Sequence, residues 1–260
     1  MADYEKEIQD YSKAIELNPN DFEAYFNRGL AYYYLERYER AIQDYDKAIQ
    51  LNPSYAEAYN NRGIAYKNLQ QNERAIQDYT KSIELKNPEL YLPYYNRGVA
   101  YYDLGQKERA IQDYNRAIEL NPNYAMAYHN RGAAYKEIEQ YELSIQDSSK
   151  AIELNLNDSA AYYNRGFAYF RLKLYNLAIS DFNKAIEIYP EYVEAYSNRG
   201  NVYYRLKQYE KAIIDYSKVI ELNPNDFDAY DTRGLCYQAL GDDEKAQADF
   251  AKANELGFED

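Results

Sequence analysis

The chain has 260 residues, and its acidic side chains outnumber its basic ones, giving a formal net charge of −13. A protein this acidic repels phosphate backbones, which makes nucleic acid a poor partner. No run of about 18 apolar residues is present, so we expect no membrane insertion. The single cysteine, Cys236, excludes an intramolecular disulfide, and we expect a reducing, cytoplasmic setting.

An Arg-Gly pair recurs along the chain at intervals of 34 residues, with one interval of 35. Seven copies in register indicate a repeat protein, because self-similarity at a fixed period of this length is typical of stacked helical units. The pairs are Arg28-Gly29, Arg62-Gly63, Arg97-Gly98, Arg131-Gly132, Arg165-Gly166, Arg199-Gly200 and Arg233-Gly234.

Each copy predicts two amphipathic helices, a first helix A and a second helix B. Apolar and small residues recur at i, i+4 and i+7 in each helix, which forms one apolar stripe per helix. In the first copy the stripes are Tyr25, Gly29 and Tyr32 in helix A and Ala41, Tyr45 and Ala48 in helix B.

Proline marks the end of most copies, as at Asn52-Pro53, because the residue before a proline is forced out of the α region. Helices of about 12 to 14 residues are too short to persist alone, so the copies must stack to form a shared core. We therefore predict one repeat array, with a half-repeat (helix B only) at 1–20 and seven full repeats at 21–54, 55–89, 90–123, 124–157, 158–191, 192–225 and 226–260.

The first copy resembles the tetratricopeptide repeat, and the resemblance extends over essentially the whole chain. It rests on Tyr25, Gly29, Ala31-Tyr32, Ala41, Tyr45, Ala48 and Pro53. It implies an all-α fold, a right-handed superhelical solenoid of antiparallel helix pairs, in which the A helices line a concave groove. It also implies a role in protein interaction.

An Arg and an Asp sixteen residues later depart from the usual family pattern, which has a large apolar residue in place of the Arg. Both flank the apolar stripes and stand at the same height in an antiparallel hairpin, which predicts a bidentate, half-buried ion pair. Pairing of each Asp with the Arg of the following copy is the less favoured alternative. The predicted pairs are Arg28/Asp44, Arg62/Asp78, Arg97/Asp113, Arg131/Asp147, Arg165/Asp181, Arg199/Asp215 and Arg233/Asp249.

An Asn column faces away from the predicted core on helix A. Its amides match the donors and acceptors of a peptide unit, and related repeat solenoids hold peptides with such ladders. The alternative is that these amides only join neighbouring helices, and both interpretations stay open. The candidate groove residues are Asn27, Asn61, Asn96, Asn130, Asn164, Asn198, Tyr95, Tyr102, Tyr163, Phe167, Phe170, Tyr204, Arg171 and Arg205.

Catalytic, metal and cofactor sites are not expected. Some tetratricopeptide domains clamp a chaperone's C-terminal carboxylate with Lys and Arg, but the matching places here hold residues such as His129 and Asn130. His129 is the sole histidine and has no cluster of ligands around it. Cys236 stands where other copies have Ala, which indicates a packing residue.

The ends and the fourth copy are irregular. Gln247 and Asn254 replace isoleucines of the B helices, which predicts a C-terminal capping repeat that frays from Gly257 onward. The N-terminal half-repeat lacks its helix A and leaves an open end. In the fourth copy Ser144, Ser148 and Leu156 replace Ala, Tyr and Pro, so we expect the lowest local stability at 141–157.

The sequence therefore predicts a non-enzymatic scaffold that binds an extended peptide or a partner helix in its concave groove. Two alternatives remain open. One is an assembly module that forms homo-oligomers through the N-terminal end. The other is a non-catalytic targeting segment of a larger enzyme.

Overall fold

The computed structural model describes residues 2–155 and 157–257, and these residues form fifteen α-helices with no strand. After α1, the helices alternate between helix A and helix B of successive hairpins, as the repeat predicts. Their bounds are α1 Ala2–Leu17, α2 Phe22–Tyr34, α3 Tyr38–Leu51, α4 Ala56–Asn68, α5 Asn72–Glu84, α6 Tyr91–Asp103, α7 Lys107–Leu120, α8 Ala125–Glu137, α9 Tyr141–Leu154, α10 Ser159–Arg171, α11 Tyr175–Ile188, α12 Val193–Arg205, α13 Tyr209–Leu222, α14 Phe227–Ala239 and α15 Asp243–Gly257.

A three-residue turn reverses the chain inside each hairpin. In the first hairpin the Arg37 N–H donates to the Tyr32 carbonyl at 2.9 Å, and the Glu36 N–H donates to the Tyr33 carbonyl at 2.9 Å. Glu36 has φ of 58°, and Gly105 takes the same left-handed conformation in a later turn. The pattern closes the C-terminal end of helix A and sets helix B antiparallel to it.

The repeated glycines lie where helix A meets helix B. A Cβ atom on Gly63 would stand 2.7 Å from Tyr79 Cε1, and one on Gly29 would stand 2.9 Å from Tyr45 Cε1. Both tyrosines are fully buried, so any side chain on these glycines would force the helices apart. The glycine of the Arg-Gly pair therefore sets the close approach of the two helices.

The chain divides into two compact units, Met1–Ala134 and Tyr135–Asp260, and the division falls within α8. In the first unit each helix from α1 to α7 packs against its neighbours in sequence, and in the second unit α9 to α15 do the same. In both units the shared core is built from buried Ala and aromatic residues of the stripes.

The single long interval between repeats lies after α5. Lys86 adopts φ of 57°, and the Asn87 amide donates to the Ser82 hydroxyl at 3.2 Å. Pro93 lies buried in the first turn of α6, where its missing N–H breaks no helical bond. The expectations on Leu156 and on the residues after Gly257 fall outside the described residues.

Candidate functional site

The Arg and Asp columns form ion pairs inside the hairpins. Arg28 donates from Nε to Asp44 Oδ2 at 2.8 Å and from Nη2 to Asp44 Oδ1 at 2.7 Å. The carboxylate of Asp44 is buried, and the guanidinium is mostly covered. The same two-bond geometry joins Arg62 to Asp78, Arg97 to Asp113, Arg165 to Asp181, Arg199 to Asp215 and Arg233 to Asp249.

The predicted pair Arg131/Asp147 differs from these six, because its members belong to different units of the chain. Arg131 lies in the first unit, and Asp147 lies on α9 in the second. Asp147 is 3% exposed, as buried as the other aspartates of the column. The two-bond contact is therefore present in six hairpins, and the pairing of Asp147 with Arg131 stays a prediction.

The same guanidinium groups also bind the preceding repeat. Arg97 Nη1 donates to the Thr80 hydroxyl at 3.0 Å, and Thr80 lies on the helix B before it in the chain. Equivalent bonds run from Arg28 to Ser12, Arg62 to Asp46, Arg131 to Asn115, Arg165 to Ser149, Arg199 to Asn183 and Arg233 to Ser217. Each arginine of the six pairs therefore binds the B helix of its own hairpin and also the B helix that precedes that hairpin in the chain.

The acceptor column of these bonds is not part of the sequence prediction. Its members are Ser, Asp, Thr or Asn, so no single residue type repeats. A search for positions that always offer a hydrogen-bond acceptor would have found it, since every member before the last repeat has a side-chain oxygen. In the last repeat this place is taken by Ala251.

A tyrosine three residues before each of these arginines lies against its guanidinium group. The guanidinium carbon of Arg28 is 5.6 Å from the Tyr25 ring centroid, and that of Arg62 is 5.4 Å from the Tyr59 ring centroid. Five more repeats have the same contact. The tyrosine and the arginine of each repeat thus interact directly, because a cation packs favourably on the face of an aromatic ring.

Burial and hydrogen bonding both shift the pKa values of the paired residues. The hydrogen bonds that Arg165 donates to Asp181 raise the pKa of Arg165, which stays charged. Burial raises the pKa of Asp78 and Asp215 more than the neighbouring guanidinium lowers it. The cost of desolvating the two charges therefore offsets much of the electrostatic attraction between Arg and Asp. Removal of one partner leaves the other charge buried and unpaired.

We use the term A face for the solvent-facing side of the A helices, taken separately in each unit. In the first unit a pocket of about 280 Å³ opens between α2 and α4. Its walls are mostly apolar and aromatic, and a buried B-helix tyrosine closes its floor. The lining residues are Leu30, Tyr33, Tyr34, Asn61 and Ile64, with Tyr45 below.

A second pocket on the A face of the first unit lies between α6 and α8 and has a volume of about 270 Å³. It repeats the plan of the first, with an Asn amide at the rim and a tyrosine below. Its lining residues are Val99, Tyr102, Asp103, Tyr114, Asn130 and Ala133. The predicted groove residues Tyr102 and Asn130 therefore border one opening.

The Asn column connects neighbouring A helices. The Asn130 amide donates to the Tyr95 hydroxyl at 2.9 Å, and the Asn198 amide donates to the Tyr163 hydroxyl at 3.2 Å. Asn96 donates to Asn60 Oδ1 at 3.1 Å. These bonds are what the scaffold interpretation of the column predicts, and ligand contact by the same amides stays a proposal.

Burial differs among the predicted groove residues. Tyr95 is only 8% exposed and packs into the core against Tyr114 and Tyr124, and Asn164 is 5% exposed. Both lie under the A face rather than on it, because neighbouring side chains cover them. The remaining predicted groove side chains, Asn27, Asn61, Asn96, Asn130, Asn198, Tyr102, Tyr163, Phe167, Phe170 and Tyr204, are half-buried, and Arg171 and Arg205 are exposed.

Metal-ligand clusters and membrane-spanning helices are two further features of residues 2–155 and 157–257 that bear on function. No group of three or more His, Cys, Asp or Glu side chains there is placed to hold a metal ion. No helix within these ranges combines the length and hydropathy needed to cross a membrane. Cys236 is buried against Ala212 and Tyr216, and its burial raises the thiol pKa to about 11.

Models of the tetratricopeptide repeat match almost the entire chain. The matched residues are 56–86, 159–192 and 193–226, then 3–35, 29–70 and 98–139, and finally 125–158 and 216–248. The chain belongs to the tetratricopeptide repeat family. Tetratricopeptide repeats typically act as non-catalytic scaffolds for protein interaction, and this general role fits the chain.

Solved tetratricopeptide structures share the fold. The chain is 27% identical to YrrB, described as having an unusual peptide-binding site, over 71% of this chain and 95% of YrrB, with a TM-score of 0.62. It is 25% identical to MamA of Desulfovibrio magneticus RS-1, over 66% and 96%, with a TM-score of 0.61.

The C-terminal part of a repeat protein of Cytophaga hutchinsonii matches over 90% of this chain and 96% of its own length, with a TM-score of 0.73. Its identity of 22% supports the fold alone. A comparison with curated proteins finds no match.

Proposed function

We propose that this tetratricopeptide array binds an extended peptide of a partner protein on its A face. The observation that carries the proposal is the pair of pockets in the first unit, each with apolar walls, an Asn amide and an aromatic floor. Pockets of this kind accept a side chain while the amide bonds the ligand backbone. The 280 Å³ opening at Tyr34 has room for one large side chain.

The chemistry of the A face supports a peptide more than a small polar ligand. Aromatic residues are frequent anchors at protein interfaces, and this face presents Tyr33, Tyr34 and Tyr102 beside polar groups. Tyr34 is 53% exposed and stacks on Tyr4 at 4.9 Å between ring centroids, so its position is held without a ligand. A pre-positioned anchor loses little entropy on binding.

Selection of random dodecapeptides displayed on phage, against the immobilised full chain, tests the proposal. We expect selected peptides to bind at micromolar Kd, and Tyr34→Ala to weaken them about tenfold, as for an interface anchor. The double variant Asn61→Ala and Asn130→Ala, which removes the amide of each pocket, should weaken them similarly. An apolar pattern at i, i+3 and i+4 among the selected peptides would indicate a helical ligand instead.

The matched control replaces exposed B-helix glutamines, which lie away from the A face. The control substitutions are Gln77→Ala, Gln112→Ala and Gln146→Ala. Circular dichroism must show that every variant retains its helix content. Failure to select any peptide would overturn the proposal, as would equal affinity of Tyr34→Ala and the control variant. Loss of peptide binding in the Asn variant, with an unchanged free energy of unfolding, would show that the amides contact the ligand.

A further inference from the structure

The second unit has an alternating row of aromatic rings and cations on its A face. Phe167 stands in the middle, with its ring centroid 6.4 Å from that of Tyr163 and 6.5 Å from that of Tyr141. Lys136 Nζ lies 5.2 Å from the Tyr163 centroid and 5.7 Å from the Phe167 centroid. The guanidinium carbon of Arg171 lies 5.0 Å from the Tyr141 centroid and 5.8 Å from the Phe167 centroid.

Lys136 is a half-buried cation, and its only hydrogen-bond partner in the described part of the chain is an amide. Its Nζ donates to Asn164 Oδ1 at 2.8 Å, and an ammonium group has two further N–H donors. Burial lowers the pKa of Lys136, and the carboxylates of Glu137 and Glu194 offset this only in part. An anion placed beside Nζ would stabilise the charged form of Lys136 and raise the pKa that burial lowers.

Arg171 is held in place by rings rather than by its acidic neighbour. Its Nη2 lies 3.3 Å from Glu139 Oε1, and both side chains of that pair are largely exposed. Exposed pairs contribute little to stability, so a ligand carboxylate can exchange with Glu139 at little cost. Because Lys136 and Arg171 both contact the ring of Phe167, a ligand that packs on this ring lies near positive charge.

We propose that this row, Lys136–Phe167–Arg171, binds an acidic side chain of the peptide ligand. The carboxylate pairs with Lys136, Arg171 adds a second positive charge beside the same ring, and a neighbouring apolar side chain of the peptide packs on Phe167. The inference rests on the proposed peptide-binding function and adds the chemistry of one ligand position. The cations come from the last turns of α8 and α10, so they lie outside the places of the family's chaperone clamp, which hold His129, Asn130 and Tyr163 here.

Two phage libraries of random dodecapeptides test the inference, one complete and one without Asp and Glu codons. We expect peptides from the complete library to be enriched in Asp or Glu at one position. Changing that residue to Gln or Asn in the synthetic peptide should weaken binding about tenfold, as expected for a partly desolvated ion pair. The difference should disappear in Lys136→Met, which keeps the apolar stem and removes the charge.

The matched control is Lys173→Met, which makes the same charge change at an exposed turn residue. It should retain the acidic preference, whereas Arg171→Gln should reduce it. Equal affinities of acidic and neutral peptides for the wild type would overturn the inference and leave the proposed function standing. Acidic preference that survives in Lys136→Met would overturn the assignment to this row. Absence of binders from both libraries would reject the proposed function and the inference together.

Discussion

The buried tyrosines of the B helices occupy equivalent positions but differ in hydrogen bonding. Tyr45 and Tyr216 are each at most 1% exposed. The Tyr216 hydroxyl donates to Asn201 Oδ1 at 3.0 Å, whereas the Tyr45 hydroxyl has no partner. The residue at the place of Asn201 in the first hairpin is Leu30, which offers no polar atom. The second hairpin repeats this arrangement with Ile64 above the unpartnered Tyr79 hydroxyl.

Tyr45→Phe should therefore raise the free energy of unfolding by about 1 kcal/mol, because it removes a buried polar group that lacks a partner. Tyr216→Phe is the matched control and should lower it by about 1 kcal/mol, because Asn201 loses its donor. Urea denaturation followed by circular dichroism measures both. Equal losses in the two variants would show that the Tyr45 hydroxyl finds a partner in solution.

The Arg–Asp pairs should show strong coupling in a double-mutant cycle. Asp113→Ala leaves the half-buried guanidinium of Arg97 without the carboxylate to which it donates two hydrogen bonds. We expect the free energy of unfolding to fall by about 3 kcal/mol. The coupling of Arg97 to Asp113 should exceed its coupling to Thr80, which accepts one bond only. A coupling to Thr80 as large as that to Asp113 would contradict a mainly intra-hairpin role.

The exposed pair Arg116–Glu119 serves as the control for that cycle. Its atoms approach to 2.6 Å, but its side chains are 51% and 61% exposed. Its coupling energy should be far smaller than that of Arg97 and Asp113, as for other surface pairs on a helix. The contrast separates the effect of burial from that of short distance.

Sequence spacing is sufficient to predict the six Arg–Asp contacts described above, because helix geometry fixes the height and direction of residues sixteen apart in a hairpin. It does not predict the bond from Arg97 to Thr80, whose column changes residue type from repeat to repeat. It places Phe167 and Arg171 among the groove residues but does not predict the contact of Lys136 with the ring of Phe167. The position of Lys136 Nζ depends on four rotatable bonds, which no spacing determines.

Helix α9 differs from the other B helices in what it buries. Ser144 and Ser148 are at most 1% exposed, and neither hydroxyl has a partner. In the same unit, Phe182 and Tyr216 fill the place of Ser148 with a large ring. Compared with the other B helices of this unit, α9 buries less apolar area and more polar atoms without a partner. Both differences weaken local stability.

We expect the amides of α9 to exchange at a lower opening free energy than those of α11, which belongs to the same unit. Ser144→Ala should slow exchange across α9 and raise its opening free energy by about 1 kcal/mol. The equivalent positions in α11 and α13 are Ala178 and Ala212, which bury no polar side-chain atom. Ser217→Ala is the control and should destabilise, because the Ser217 hydroxyl accepts from Arg233 Nη1 at 3.0 Å. Uniform exchange rates across α9 and α11 would contradict the local weakness.

Helix positions were the most predictable part of the fold, since each stripe is set by an apolar period and each end by a turn or proline. The left-handed turn residues were less predictable. Gly105 and Gly241 suit a positive φ, but Lys173 and Lys207 take the same conformation without that freedom. The turn is imposed by packing of the two helices, which a local sequence signal does not show.

At the scale of the whole molecule, the net charge of −13 opposes compaction, because like charges are brought closer together on folding. The attractive pairs on the surface, such as Lys150–Glu153 and Lys184–Glu187, are exposed and contribute little. The buried Arg–Asp pairs are partly shielded from dissolved salt. Salt should therefore screen repulsion more than attraction in this chain.

We accordingly expect the thermal midpoint at pH 7 to rise by about 2 to 4 °C between 10 and 150 mM NaCl, the shift that 1 kcal/mol gives a protein of this size. Circular dichroism at several salt concentrations measures it. A variant with Glu57, Glu73 and Glu108 changed to Gln carries less negative charge and should show a smaller rise. A midpoint that falls with salt would show that surface ion pairs outweigh the repulsion of the excess carboxylates.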